Sequence, residues 1–442
     1  MSALFNKSWR PVLTVLFALG FFLGAFFYFY RGSYESPPSP TIPFERIAVP
    51  SSSFSPFAEV PPIRKGTLLV DGAHNNLYTK EEITVFLSRV ADRGYTIEFM
   101  GGDPNIFGEG FRSVSLSTRL PLLREKLRRA DSFAVMLPED PYDQAEADIV
   151  EAFVNKGGKL LLIGDPTQPS KLNSLAERFG ITFRPDYLYS KAQYDINFQN
   201  IFIGDFRPDE ITRGLRQIVL YTAGSINSSG PGLAFADANT RSSVAQTADP
   251  FYPLGRGNDD HVLAVHDLTF MIPPQNSIRD NNLLISNIAD YLTLSDRTFD
   301  LADFPHFFKS DVEILLGRAS LFQVATNLRN ELSLKAVSSE VQGVEDLTRD
   351  TVYVGLYEDS PAVVQYLDIA GIQVSGTLRT PFTPDIATDQ TALLLLHRSA
   401  GRNVLVILGD SESTLTRLIR DLSSGAFRRG LVNDVVGVYA FQ

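Results

Sequence analysis

From Lys65 to Thr167 the chain alternates short apolar runs with longer stretches whose apolar residues recur every three to four positions. Gly66–Asp71, Tyr95–Met100, Ser132–Leu137 and Lys159–Gly164 read as strands; Thr79–Gly94, Ser117–Ala130 and Tyr142–Lys156 read as helices. Three of the apolar runs end at Asp71, Leu137 and Gly164–Asp165, each followed by turn or cap residues and then a helical pattern. Strands and helices of that length in alternation imply right-handed crossovers and a parallel sheet with helices on both faces. The expected fold class is α/β, with ligands bound outside the carboxyl ends of the strands.

Beyond Gly164 the pattern continues less regularly. Ser170–Phe179 reads as a helix, Asn200–Asp205 and Leu233–Ala238 as strands, Pro208–Ile218 as a short helix between them, and Asp249–Asp260 as a loop. His261–Asp267 reads as a strand, and Arg279–Leu292 as an amphipathic helix opened by Asp280. These elements make a first domain over 65–295. From Asp296 the pattern restarts. Strands are expected at Val312–Leu316, Val352–Tyr357, Ile372–Gly376, Ala392–His397, Asn403–Gly409 and Val435–Phe441, with helices at Ser320–Leu332, Pro361–Ala370 and Glu412–Leu422. They describe a second, smaller α/β domain over 296–442.

The first thirty residues follow neither period. Pro11–Tyr30 is uncharged and apolar throughout, and about 20 such residues are what a helix needs to cross a bilayer. A cleaved signal peptide has a shorter apolar core ending in a small-x-small site; this run ends Phe-Phe-Tyr-Phe-Tyr-Arg. An uncleaved transmembrane anchor is therefore expected at 11–30. Lys7 and Arg10 precede it, which favours a cytoplasmic tail at 1–10 and an extracytoplasmic bulk. Residues 31–64 are dense in Pro and Ser, a composition that favours an extended linker.

Charge and composition narrow the classes further. After Tyr30 the chain carries 38 Lys and Arg against 51 Asp and Glu, a formal charge of −13. That balance argues against a nucleic-acid partner. With no Cys in 442 residues, disulfides, thiolate metal sites and cysteine catalysis are excluded.

Asp71, His74, Asp165, His266 and Asp267 fall at expected carboxyl ends of strands, hence on one rim, and are the candidate ligand-binding residues. His and carboxylate together suit a divalent ion or hydrolysis; the same carboxylates suit helix caps and turns. No paired-His metal spacing, Gly-x-Ser-x-Gly elbow or phosphate-cradling Gly loop is present, so no catalytic set, metal or cofactor is assigned. Gly101–Asn105 reads as a turn at a strand end. Tyr187, Tyr189, Tyr194, Phe198, Phe202 and Phe206 form an aromatic tract, expected to fill the core beneath the loops. His306 and His397 read as ordinary packing or surface residues.

The runs LLVDGAHNN, AVMLPED, NKGGKLLLIGDPT and HVLAVHDLTFM, closed by RDNNLLISNIADYL, resemble membrane-anchored glutamine-amidotransferase-like domains over roughly Lys65–Leu294. These domains occur beside ABC-type export systems and are related to gliding-motility and intraflagellar-transport modules. The resemblance implies a flavodoxin-like, class I amidotransferase-like sheet and, as partners, ABC-type transporter subunits. Class I amidotransferases carry a Cys on the turn after a strand; the matching turn here holds Gly164, Asp165 and Pro166. Amidotransferase activity is accordingly not implied. GRNVLVILGDSESTLTRLIRDLSSG is similar to small flavodoxin-like domains of exported polysaccharide-associated proteins. A non-catalytic binding or scaffold protein is expected, with an envelope glycan hydrolase using the rim carboxylates as the alternative.

Overall fold

The computed structural model describes residues 9–30, 57–101, 114–246, 250–399 and 401–441. Residues 1–8, most of the Pro/Ser-rich stretch, the 102–105 part of the expected turn and Asp249 lie outside the described residues. The chain divides into two units, Met1–Ser51 and Ser52–Gln442. In the first, α1 (Arg10–Tyr30) is a continuous helix, long and apolar enough to cross a membrane, with no side chain buried. A signal sequence meets the same test of length and composition.

The second unit holds two α/β lobes. The first is built on strands β1 (Thr67–Asp71), β2 (Thr96–Met100), β3 (Ser132–Met136), β4 (Lys159–Ile163), β5 (Asp205–Phe206), β6 (Gly232–Phe235), β7 (Leu254–Arg256) and β8 (Val262–Val265). They form one sheet in the order β2-β1-β3-β4-β8-β7-β6-β5. The first five strands in that order are mutually parallel, and the last three extend the sheet antiparallel. Successive side chains point to opposite faces. Leu68, Val70, Leu161 and Ile163 therefore join one core with Phe86 and Val90 of α2 (Thr84–Asp92). Leu69, Phe133, Leu160 and Leu162 join a second core with Leu123 of α3 (Leu116–Leu127) and Val150 and Phe153 of α4 (Gln144–Asn155). Helices cover both faces, which is why these strands tolerate no polar alternation. Asp143 and Glu146 close a capping box at the start of α4, fixing that helix where the sequence placed it.

The segment expected as a helix at Ser170–Phe179 shortens to α5 (Asn173–Ala176) and one 3₁₀ turn. Pro208–Ile218 is not helical. Asp209 accepts the Ile211 amide at 2.9 Å and the Thr212 hydroxyl bonds the Arg207 carbonyl, so local side-chain bonds hold turns in place of a helix. Ile218 instead opens a strand, Ile218–Tyr221, paired antiparallel with Asn200–Ile203. The expected loop 249–260 contains β7, whose three residues show no period and become a strand only by pairing with β6 and β8. Helix α6 (Asn281–Thr293) follows, packed beside α2 in the first core. The Asp280 side chain does not cap it; it accepts the Arg216 and Gln217 amides. Phe57–Arg64 packs on this lobe: Glu59 pairs with Arg89 at 2.9 Å and Arg93 at 3.0 Å.

The second lobe carries β9 (Val312–Leu316), β10 (Ser339–Gln342), β11 (Asp350–Leu356), β12 (Thr391–Ser399), β13 (Arg402–Gly409) and β14 (Val436–Ala440), ordered β10-β9-β11-β13-β12-β14. Helices α7 (Phe322–Leu334) and α9 (Glu412–Ser424) cover one face; α8 (Val364–Ile369) packs on the other with Leu378 of a small three-stranded antiparallel sheet. The strand expected at Ile372–Gly376 is Gln373–Val374, and it belongs to that small sheet. The edge strand β10 is Ser-Glu-Val-Gln and too polar to read as a strand from sequence. Ser411 caps α9, accepting the Thr414 amide.

Candidate functional site

The five rim residues sit where the strand pattern put them. Asp71 ends β1, Asp165 follows β4, and His266 and Asp267 follow β8. They nevertheless form two groups, because β3 separates β1 from β4 in the sheet.

In the first group Asp71 and His74 have no solvent exposure. The Asp71 carboxylate is saturated: Oδ1 accepts the Ala73 amide at 3.1 Å and faces His74 Nδ1 at 2.9 Å, while Oδ2 accepts Asn76 Nδ2 at 3.1 Å and the Tyr142 hydroxyl at 2.9 Å. The Tyr142 ring stacks on the His74 ring with centroids 3.8 Å apart. His74 Nε2 lies 3.5 Å from Glu146 Oε1, an ion-pair contact too long for a strong hydrogen bond. Arg119 closes the line, its Nε 2.5 Å and Nη2 3.1 Å from the Glu146 carboxylate. Charges therefore alternate along Asp71, His74, Glu146 and Arg119.

Burial alone would discharge these groups, but their partners outweigh it. Burial pulls the His74 imidazole down, yet the Asp71 and Glu146 carboxylates carry it up to about 9. Burial raises the Asp71 carboxyl, and the imidazolium, Asn76 and the Ala73 amide bring it below its usual value. Glu146 is likewise brought down to about 2 against its own burial by His74 and Arg119. The tyrosine hydroxyls of Tyr78 and Tyr142 are pushed well up by burial and by Asp71. Glu146 was legible as the last residue of a capping box. Arg119 gave no local signal, since its partner lies in another helix.

In the second group Asp165 makes a turn with its own neighbours. Its Oδ1 accepts the Thr167 amide at 2.9 Å and hydroxyl at 2.6 Å, and Oδ2 accepts the Leu268 amide at 3.2 Å, tying the loop after β4 to the loop after β8. Asp267 is fully buried and accepts the Tyr221 and Thr269 amides, each at 2.7 Å. Burial and the Asp165 charge push its carboxyl well above the usual range, against those amides. His266 Nδ1 donates to the Ser225 carbonyl at 3.0 Å, and burial lowers its pKa. Its ring sits so close to Gly224 that a Cβ there would lie 2.3 Å away. Glycine is required at that approach. Beside it the buried Asp186 takes the Ser225 amide and hydroxyl, at 2.9 and 2.8 Å, and the Ser242 hydroxyl at 2.5 Å.

The carboxylates of both groups thus accept from protein donors. Among the described residues no group of three or more His, Cys, Asp or Glu is placed to hold a metal ion. The aromatic tract does not fill the core as expected. Tyr187, Tyr194 and Phe198 are exposed by 38%, 37% and 49%, and Tyr189, Phe202 and Phe206 are half-buried. The core positions there are taken by the aliphatic neighbours Leu188, Ile201 and Ile203.

No family model and no curated protein matches the chain. Among solved structures it is similar to the mmIFT52 N-terminal domain, with a TM-score of 0.41 and 13% identity, over 52% of this chain and 100% of that one. It is also similar to a putative ThuA-like protein from Parabacteroides merdae ATCC 43184, with a TM-score of 0.32 and 11% identity, over 55% of this chain and 94% of that one.

Proposed function

We propose that this chain is a non-catalytic binding or scaffold protein, anchored in the membrane by α1 with its lobes on the extracytoplasmic side, and accessory to an ABC-type export system. The observation that supports the non-catalytic part is burial of the rim acids against protein donors: Asp71 meets four, Asp267 is held by the Tyr221 and Thr269 amides, and neither carboxylate reaches solvent. Glycan hydrolysis asks for two carboxylates about 5–10 Å apart flanking an open cleft. Two buried acids with fixed partners weigh against that rival. The membrane part is supported by the apolar length of α1, and the orientation by Lys7 and Arg10 ahead of it. The transporter partner rests on the resemblance of the first lobe.

Affinity purification of the full chain from gently solubilised membranes tests the reading, with Asp165→Ala and Asp267→Ala alongside and thermal unfolding run on each. Recovery of transporter subunits by all folded forms supports it. If no partner is recovered and the folded variants lose binding to envelope glycan, the chemistry lies at the rim and the reading fails.

A further inference from the structure

At the edge of the first lobe opposite the rim, the two lobes enclose a cleft of about 500 Å³. Its walls come from the amino-terminal ends of both sheets: Gly66 and Thr67 at β1, Tyr95 before β2 and Asp131 before β3, facing Lys309 ahead of β9 and Lys335 to Val337 ahead of β10. Size and position between lobes both suit a small-molecule site.

The lining is strongly basic in an acidic protein. Arg64, Lys65, Arg129, Arg297, Lys309 and Lys335 line it against only Asp131 and Asp296, while the whole chain carries −11. The fold itself accounts for some of these cations. Arg297 bonds the Leu127 and Ala130 carbonyls at the end of α3, between the Phe153 and Phe299 rings. Arg129 pairs with Glu98 at 2.7 Å, and Arg64 bonds the Thr293 hydroxyl at 3.1 Å. Lys65, Lys309 and Lys335 have no ion-pair partner among the described residues. Asp131 does not neutralise them closely: its Oδ2 accepts the Thr67 amide at 2.8 Å, and its burial raises its pKa. Three lysines without an ion-pair partner thus line one concavity, Lys65 and Lys309 exposed and Lys335 half-buried, and concentrate positive potential there.

We propose that this cleft binds a small multivalent anion bearing phosphate or carboxylate groups, held chiefly by Lys65, Lys309 and Lys335. His306, also in the lining, makes no side-chain hydrogen bond among the described residues. Burial, reinforced by Arg129 and Lys335, lowers its pKa to about 4. The proposal is independent of the transporter reading, since the cleft shares no residue with the rim.

The test is isothermal titration calorimetry on the full chain in detergent micelles, with sodium pyrophosphate and with trisodium citrate as separate probes. Saturable binding of either is expected, and the responding probe distinguishes phosphoryl from carboxylate ligands. The Lys65→Gln/Lys309→Gln/Lys335→Gln variant should lose at least about tenfold in affinity at an unchanged melting temperature, whereas Lys191→Gln should bind as wild type. Absence of saturable heat with both probes at millimolar concentration overturns the proposal, as does equal affinity in the triple variant.

Discussion

The His74 imidazole lies 2.9 Å from the Asp71 carboxylate, with neither side chain exposed to water. A pair so placed is a structural statement about the turn after β1. It holds Ala73, His74 and Asn76 against the strand end, and through Glu146 and Arg119 it binds that turn to α4 and α3.

That pair gives stability a defined pH dependence. The folded pKa of His74 is raised to about 9 from 6.5, so its contribution is complete below pH 6.5 and is lost as pH climbs from 6.5 through 9. The Asp71 pKa is lowered, so its contribution is lost in acid, as pH falls below 3.8. Urea unfolding of wild type and His74→Gln at pH 6 and pH 9 should show the difference between them shrinking at the higher pH by about 1–3 kcal/mol. A difference that grows with pH would mean the imidazole is neutral in the fold.

Arg119 and Glu146 should be strongly coupled. Arg119→Ala leaves the buried Glu146 carboxylate with only His74 and the Asp143 amide as partners and is expected to cost about 3–5 kcal/mol. Adding Glu146→Ala should recover part of that loss, because no uncompensated charge is then left beside His74. Denaturant melts of the two single variants and the double form the cycle; additive losses would contradict the buried pair.

The exposed aromatic residues should matter little to folding. Tyr194→Ser and Phe198→Ser are expected to change stability by less than about 0.5 kcal/mol, while Ile201→Ala, fully buried beside them, should cost about 2–5 kcal/mol. Thermal melts distinguish the cases, and a loss above 2 kcal/mol for Tyr194→Ser would return the tract to the core.

Leu19 lies near the middle of α1. An Arg there adds about 2.5–3.5 kcal/mol to the insertion free energy of a spanning helix, so Leu19→Arg should shift the chain toward the alkaline-extractable fraction of membranes. Amino-terminal sequencing of the wild-type chain completes the test. A mature terminus beyond Tyr30 would make α1 a removed signal sequence and the anchor reading wrong.

Features that depend on neighbours along the chain were legible in the amino-acid sequence. Apolar runs such as Leu160–Ile163 can be satisfied only with both faces covered, so the parallel sheet, its helical layers and the single apolar helix were legible. The caps Asp143 and Ser411 are local in the same way, each bonding only three positions onward. The placement of Asp71, Asp165, His266 and Asp267 at strand ends followed from the same periodicity. Their separation into two groups did not, because it depends on β3 lying between β1 and β4.

Features whose partners come from distant segments were set by packing. Residues 254–256 became a strand by pairing, and Pro208–Ile218 lost its helix to bonds made by Asp209 and Thr212. Arg119 meets Glu146 across two helices, and Lys65 comes to line one cleft with Lys309 and Lys335 of the other lobe. The physical reason is common to all of them: periodicity is a property of one element, whereas charge neutralisation, exposure and clefts are properties of surfaces brought together by packing. A lone arginine or lysine reads the same in sequence whether it will meet a carboxylate, a carbonyl or open space.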